Sequence, residues 1–178
     1  MKSRAEHVRT GSRATAMLSI IIKTLNEQHN IERCLDAVLV ALSAVPQPWE
    51  ILIADSASTD RTVELARAYP VTVVQLENVT QRGCGAGVQL GYQHSHGDLV
   101  LLLDADMQLL PGFLSAAIAR LNQDAGLAGV AGLLQDTVVR NDIDRHRVVK
   151  AVSSRAATNP QWLSGGGLYR RAAIESCG

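Results

Sequence analysis

Aromatic residues are scarce in this chain, and several other features that often indicate function are also missing. Only 3% of the 178 residues are Phe, Trp or Tyr, which argues against the stacking platforms that bind single-stranded nucleic acid. The 17 basic and 17 acidic side chains cancel, so no overall basic field attracts nucleic acid. We therefore expect no nucleic-acid partner.

Cysteines and long apolar runs are equally sparse. Cys34, Cys84 and Cys177 lie far apart and form neither a CxxC pair nor a zinc-binding spacing. An odd, widely spaced set is typical of a reducing compartment, so we expect a cytoplasmic protein. No apolar stretch approaches the roughly 20 residues that are needed to cross a bilayer.

The first 16 residues lack the apolar segment that a secretory signal requires. They carry four basic side chains and one acid, which could give a weak peripheral contact with an anionic membrane. We expect residues 1–16 to be a disordered leader. Residues 17–178 are long enough for one domain with its own core.

Apolar runs alternate with helical patterns through most of this domain. Five short apolar runs predict strands, at residues 18–22, 50–54, 71–76, 99–103 and 127–134. Helices are predicted between them, at residues 31–43, 61–68, 111–122 and from a glycine-rich turn at 83–87 to about 96. Asn30 and Asp60 are suited to cap two of the helices, and Pro111 suits a first helical turn. The alternation predicts an α/β fold, a mostly parallel sheet with helices on both faces.

The most informative segment is residues 98–106, where a buried strand runs into two carboxylates. Five apolar residues precede Asp104, and Asp106 follows two positions later. Ligands of open α/β sheets bind beyond the carboxyl ends of the strands, and carboxylates there need a positive partner. A hard cation such as Mg²⁺ or Mn²⁺ that carries substrate phosphates would serve. A loop with two solvated acids is the plainer alternative.

Polar residues also follow the first two predicted strands. Thr24, Asn26 and Glu27 follow the first strand, and Asp55 follows the second. Because the carboxyl ends of parallel strands share one edge, we expect these groups to meet Asp104 at one crevice.

Four segments, in this order, resemble the glycosyltransferases of family 2, which have the GT-A fold. They are residues 20–35, 51–62, 97–106 and 165–171. The resemblance covers about residues 17–178 and implies metal-dependent transfer of a sugar, with inversion, from a nucleotide-diphosphate donor. The implied acceptor is a hydroxyl of a carbohydrate or of a lipid-linked molecule, and the implied cofactor is Mn²⁺ or Mg²⁺.

The resemblance also implies site residues. Six of them would bind the donor: Thr24, Asn26, Glu27, Asp55, Arg82 and Asp104. Within that set, Asp55 would read the nucleobase, and Arg82 would meet the diphosphate. Asp104 and Asp106 would hold the metal. On the acceptor side the backbone would pass close to the sugar or acceptor at Gly165, Gly166 and Gly167.

Plainer readings of several of these residues stay open. Asn26 could mark the start of a helix, and Asp55 could be a turn residue in a Ser/Asp-rich loop. Arg82 could be solvated beside a tight glycine turn, and the three glycines could form a flexible loop. Asp60 is assigned to capping, and His94 with His96 to a polar helix end.

The chain departs from the family pattern at three places. Lys23 stands where the family usually has proline, and Leu25 where many members have an aromatic residue that stacks on the base. Members also place the catalytic base after the glycine–arginine segment, but here Glu175 is the only acid beyond Asp144. We therefore expect a domain truncated before its acceptor part, with the usual base beyond Gly178, poor sugar transfer and an uncovered apolar edge that favours self-association. A non-catalytic or vestigial nucleotide-sugar-binding domain is the alternative.

Other classes fit less well. The glycine loop of methyltransferases that use S-adenosylmethionine should follow the first strand, but this one follows the third. Val88 occupies the third glycine position of a dinucleotide-binding fingerprint. Met107 and Gln108 do not match the residues that follow the second aspartate in haloacid-dehalogenase phosphatases.

Overall fold

The computed structural model describes residues 16–83, 85–132 and 166–177. Its strands are β1 (Leu18–Thr24), β2 (Trp49–Asp55), β3 (Thr72–Gln75), β4 (Leu99–Asp104), β5 (Gly129–Ala131) and β6 (Gly167–Arg170). Its helices are α1 (Ile31–Leu42), α2 (Thr62–Ala66), α3 (Ala86–Gln93), α4 (Phe113–Gln123) and α5 (Arg171–Ser176), with a 3₁₀ turn at Val79–Gln81. The strands form one sheet in the order β3-β2-β1-β4-β6-β5.

The sheet is mostly parallel, as the alternating pattern predicts. β1 pairs in parallel with β2 and β4, and β2 pairs in parallel with β3. β6 is the exception, since it is antiparallel to both β4 and β5. The predicted fold class is confirmed.

Successive side chains of β1 alternate between two apolar cores, one on each face of the sheet. Ile20 and Ile22 belong to the larger core, which α1, α2 and α4 cover. Ile21 belongs to the smaller core, against which Tyr92 of α3 and Ile174 of α5 pack. A strand buried on both faces reads as a continuous apolar run, which explains the sequence of β1 and confirms helices on both faces.

Helix α1 buries the apolar face that its periodicity predicts, including Ile31, Cys34 and Leu35. The predicted cap is wrong, however, because the Asn30 side chain makes no capping hydrogen bond. Its Oδ1 instead accepts from Arg33 Nη2 at 2.6 Å, and its Nδ2 donates to Glu27 Oε2 at 2.7 Å.

Asp60 organises the turn before α2, although Arg61 and not Asp60 occupies the N-cap position. Its Oδ1 accepts from the backbone N–H of Thr62 at 2.9 Å, and its Oδ2 accepts from the backbone N–H of Gln28 at 3.1 Å. α2 is nevertheless shorter than predicted, since it ends at Ala66. Helix α4 begins at Phe113, two residues after Pro111, because Gly112 takes a left-handed φ of 85° that is not helical.

Strand β6 is absent from the sequence-based prediction, which assigns no helix or strand to its residues. It has four residues, starts at a glycine and pairs with β4 across a long stretch of chain, so no local pattern reveals it. Arg170 fixes it to α4 and the following turn, donating to the carbonyl oxygens of Leu121 at 2.5 Å and Leu127 at 3.0 Å. β5 covers only the centre of the predicted fifth strand, whose last two residues lie outside the described part.

The amino edge of the sheet is a network of polar contacts. Glu50 Oε1 accepts from Ser19 Oγ and from the backbone N–H of His96, both at 2.6 Å. Burial raises the pKa of Glu50, but these hydrogen bonds outweigh it, so the pKa lies below its usual value. His94 follows the last residue of α3, which agrees with a polar helix end.

Ala16 is the last residue of the predicted leader. Ala16 already packs against the larger core, and residues 1–15 of the predicted leader lie outside the described part. Among the described helices, none is both long and apolar enough to cross a membrane.

Gly91 of α3 packs tightly against the sheet. A Cβ there would lie 2.3 Å from Ile21 Cγ2 and 3.2 Å from Ala54 Cβ. We expect Gly91→Ala to lower the free energy of unfolding by about 1–2 kcal/mol, because overpacking outweighs the gain in helix propensity. Urea denaturation measures this. Gly83→Ala, with nothing within 4 Å of its added Cβ, is the control, and equal stability of the two variants would contradict this packing.

Candidate functional site

The register of β1 with its two neighbours determines which side chains meet at the carboxyl edge of the sheet. Thr24 lies opposite Asp55 of β2, and Lys23 lies opposite Asp104 of β4. Because consecutive residues of a strand point to opposite faces, the two pairs lie on opposite faces of the sheet. Both pairs are in contact: Thr24 Oγ1 donates to Asp55 Oδ1 at 2.8 Å, and Lys23 Nζ lies 3.0 Å from Asp104 Oδ1.

A cleft of about 460 Å³ opens at this edge. Its lining includes five of the residues that the sequence assigns to donor or metal: Thr24, Glu27, Arg82, Asp104 and Asp106. The structure thus brings together residues from three strand ends and from the turn before α3. Lys23, Leu25 and Ser56 also line it, and Leu25 is 41% exposed.

Asp55 lies behind the cleft and is completely buried. Besides the Thr24 hydroxyl, Oδ1 accepts from Ser58 Oγ at 2.5 Å, while Oδ2 accepts from the Ser58 backbone N–H at 2.8 Å and from Gln75 Nε2 at 3.1 Å. A carboxylate has about four acceptor positions, so these four donors satisfy it. In this structure Asp55 orients Thr24 and the loop after β2.

Asn26 joins the loops that follow β1 and β2. It takes a left-handed φ of 56°, and its backbone N–H donates to Ser58 Oγ at 2.8 Å. Its Oδ1 accepts from the backbone N–H of Thr59 at 2.9 Å. The side chain holds the two loops together and does not line the cleft.

Arg82 connects the turn before α3 to the loop after β2. It donates to the carbonyl oxygen of Ser56 at 2.8 Å and to that of Ala57 at 2.5 Å. Ala57 has a φ of 61°, an unfavourable conformation for a residue with a Cβ. The guanidinium therefore holds a strained loop in place beside the cleft.

The two aspartates after β4 differ in their surroundings. Asp106 is exposed. Asp104 Oδ1 is buried and accepts no hydrogen bond, because the Lys23 ammonium, although only 3.0 Å away, lies outside hydrogen-bonding geometry. The oxygen thus has a charged partner but keeps lone pairs for a ligand.

These two carboxylates fit a hard divalent cation. In the part of the chain that the structure describes, no three His, Cys, Asp or Glu side chains gather as a metal-binding group. Mg²⁺ and similar ions are commonly held by one or two carboxylates together with water and substrate phosphates. Asp104 and Asp106 supply such a set.

Cys34 lies beneath the acidic side of the cleft, with its Sγ 3.9 Å from the Asp104 carbonyl oxygen. Burial, followed by the charges of Asp106, Asp104 and Glu27, raises the pKa of this thiol to about 12. Because the folded pKa exceeds the ordinary value of 9.0, the stability that the neutral thiol contributes is complete below pH 9. It is lost as the pH rises toward 12.

Other predicted residues lie away from the cleft. Gly166 and Gly167 are at the carboxyl edge of β4, where the Gly166 N–H donates to the Leu102 carbonyl oxygen at 2.7 Å, but they do not line the cleft; Gly165 lies outside the described residues. Because β6 is antiparallel to β4, the following α5 and its Glu175 lie toward the opposite edge of the sheet. Asp144 lies outside the described residues.

The sequence reasoning noted Lys23 only as a departure from a family pattern and missed its contact with Asp104. The signal was present, because Lys23 is a charged residue at the end of a buried apolar strand. Aligning the ends of the first and fourth predicted strands would have placed it near Asp104.

The chain belongs to the family Glycosyl transferase family 2, whose sequence pattern it matches over residues 19–170. It is 26% identical over 136 residues to an undecaprenyl-phosphate 4-deoxy-4-formamido-L-arabinose transferase from Salmonella choleraesuis. That match covers 72% of this chain and 41% of the relative, so the chain spans less than half the length of this relative.

Two solved structures share the fold. Mannosyltransferase PcManGT from Pyrobaculum calidifontis, in complex with GDP-Man and Mn²⁺, superposes with a TM-score of 0.66 at 24% identity, over 92% of this chain and 47% of that one. S. aureus TarS 1–349 in complex with UDP gives a TM-score of 0.69 at 19% identity, over 90% and 48%. At such identities the likeness establishes the fold, which is the GT-A fold that the resemblance implies.

We expect the Cys34 thiol to be unreactive in the folded protein. At pH 9.0 it should react with iodoacetamide at least about a hundredfold more slowly than Cys177, which is exposed, because a buried thiol with a raised pKa forms little thiolate. Peptide mass spectrometry separates the sites, and unfolding in urea should equalise them. Equal rates in the folded protein would contradict the buried, negatively charged environment of Cys34.

We expect Asp55→Asn to destabilise the protein even without ligand. The NH₂ group of asparagine would replace one carboxylate oxygen. Because this NH₂ group is a donor and its neighbours are also donors, at least one hydrogen bond would be lost, and the free energy of unfolding should fall by about 2–4 kcal/mol. Thermal and urea denaturation measure the change. Asp36→Asn, at an exposed carboxylate that accepts from Tyr69, is the control and should have little effect. A stable Asp55→Asn would mean that Asp55 does not organise the loops.

Proposed function

We propose that the cleft binds the nucleotide diphosphate of a sugar donor and that the protein transfers the sugar, with inversion, to an acceptor hydroxyl. The observation that carries the proposal is the convergence of Thr24, Glu27, Arg82, Asp104 and Asp106 at the carboxyl edge of a parallel sheet, where ligands of such sheets bind. Membership of glycosyltransferase family 2 agrees with it.

The nucleoside half of the donor is assigned to the side of the cleft formed by the loop after β1. Thr24 offers a hydroxyl and Glu27 a carboxylate at this wall, and Leu25 offers an exposed apolar surface for a base. Asp55 is proposed to set the base preference through the Thr24 hydroxyl, which it orients. Asn26 contributes indirectly, by holding the two loops together.

The diphosphate is assigned to the part of the cleft that Arg82, Asp104 and Asp106 line. Arg82 provides positive charge there, and Asp104 and Asp106 would hold Mn²⁺ or Mg²⁺ beside it. The ion, when bound, neutralises the charge that develops on the departing nucleoside diphosphate. The mannosyltransferase from Pyrobaculum calidifontis was solved with GDP-Man and Mn²⁺, which supports this assignment.

Inverting transfer is a single displacement. The acceptor oxygen forms a bond to the anomeric carbon as the bond to the diphosphate breaks on the opposite face, and a base removes the hydroxyl proton. We assign no described residue to that base. The name of the Salmonella relative includes undecaprenyl-phosphate, which supports a lipid-linked acceptor as the alternative to a carbohydrate acceptor.

Calorimetry tests the binding half of this proposal. Asp106→Ala should weaken the binding of UDP or GDP in the presence of Mn²⁺ by at least about tenfold, because ion and diphosphate stabilise each other. Asp36→Ala removes the same charge from the exposed surface of α1 and should bind like the wild-type protein. Equal affinity in Asp106→Ala and the wild type would refute the metal assignment.

Donor turnover separates the enzyme from the alternative. Release of UDP or GDP from a nucleotide sugar that the protein binds, stimulated by acceptor, would support a transferase. Binding of the nucleotide sugar with no release would favour a non-catalytic nucleotide-sugar-binding domain.

A further inference from the structure

Lys23 is fixed beside Asp104 by both backbone and side chain. It lies opposite Asp104 in the register of β1 and β4, so the two side chains share one face of the sheet. The Lys23 carbonyl oxygen accepts from the Ala105 N–H at 3.2 Å, and the ammonium lies 3.0 Å from Asp104 Oδ1. The contact therefore follows from strand register rather than from chance approach of two surface side chains.

The first turn of α3 packs against the base of the Lys23 side chain. A Cβ at Gly87 would lie 3.4 Å from both Lys23 Cβ and Ser56 Oγ. Because α3 covers the base of the Lys23 side chain, that side chain is only 37% exposed. The side chain of its partner Asp104 is 33% exposed. A pair that is two-thirds covered is screened less by solvent and salt than an exposed pair.

The charges that line the cleft make Lys23 important for an anionic ligand. Lys23 and Arg82 face Glu27, Asp104 and Asp106, two positive against three negative charges. The Arg82 guanidinium is engaged by two carbonyl oxygens. An ammonium carries three N–H donors, so Lys23 can contact Asp104 and still donate to a phosphate oxygen.

We propose that Lys23 is a built-in cation of the donor site. It neutralises Asp104 in the empty cleft and donates to the diphosphate of a bound nucleotide, so the protein binds nucleoside diphosphate even without a divalent ion. Because it holds Asp104 in an ion pair, Lys23 also competes with Mn²⁺ for that carboxylate. The inference rests on the proposed donor cleft and adds to it a residue that sets how strongly binding depends on metal.

The test is Lys23→Met, which keeps an unbranched side chain one atom shorter and removes its charge. Calorimetry with UDP and GDP in EDTA should show binding weakened by about tenfold, since one cation next to the diphosphate is lost. Titration with Mn²⁺ alone should show the opposite, affinity raised by about threefold or more, since Asp104 is released. Lys23→Arg should retain metal-free binding.

The matched control is Arg61→Met, which removes one positive charge from an exposed pair with Glu64 outside the cleft. Arg61→Met should change neither the affinity for UDP or GDP in EDTA nor the affinity for Mn²⁺. Lys23→Gln is the second variant if Lys23→Met does not fold. Opposite shifts of the two affinities distinguish a ligand-binding role from a structural one, which would lower the melting temperature alone.

Two outcomes separate this inference from the proposed function. If UDP or GDP binds in Mn²⁺ but Lys23→Met matches the wild type in both titrations, the role of Lys23 is overturned and the donor cleft stands. If neither nucleotide binds the wild type in Mn²⁺, the donor cleft and the diphosphate contact of Lys23 are both overturned.

Discussion

The parallel register of β1 with β2 and β4 is the constraint on which the rest of this site depends. It places Thr24 against Asp55 on one face and Lys23 against Asp104 on the other, so two neighbouring residues of one strand organise both walls of the cleft. A shift of one residue would exchange their faces and also turn Ile20 and Ile22 out of the larger core. The apolar core therefore stabilises the geometry of the polar site.

The site also requires that the carboxylates of Asp55 and Asp104 be stable at the edge of an apolar core. Asp55 is accepted there because four donors satisfy it, and Asp104 because an ammonium lies beside it. The charges of Asp104 and Asp106 still extend into the core, where they help to raise the pKa of the Cys34 thiol. A bound cation would balance this excess of negative charge and would at the same time bind the anionic diphosphate group.

Much of this arrangement is predictable from the sequence, since short continuous apolar runs place β1, β2 and β4 and hence the edge where Asp104 and Asp106 lie. The parts that escape prediction depend on pairing between distant segments. β6 is too short to show a pattern of its own, and the Lys23–Asp104 contact exists only once strand register is known. The Asn30 cap is wrong because the Arg33 guanidinium donates to Oδ1, the oxygen that would have accepted the capping hydrogen bond.

The central claim is that metal and nucleotide bind at the carboxyl edge, between β1 and β4. Paramagnetic broadening of amide NMR signals by Mn²⁺, with UDP or GDP present, tests it directly, since the two ends of β4 are roughly 16 Å apart. We expect the signals of Thr24, Ala105 and Asp106 to be lost first, while those of His96 and Gly97 at the amino edge persist. Preferential loss at the amino edge, or uniform broadening, would contradict the account.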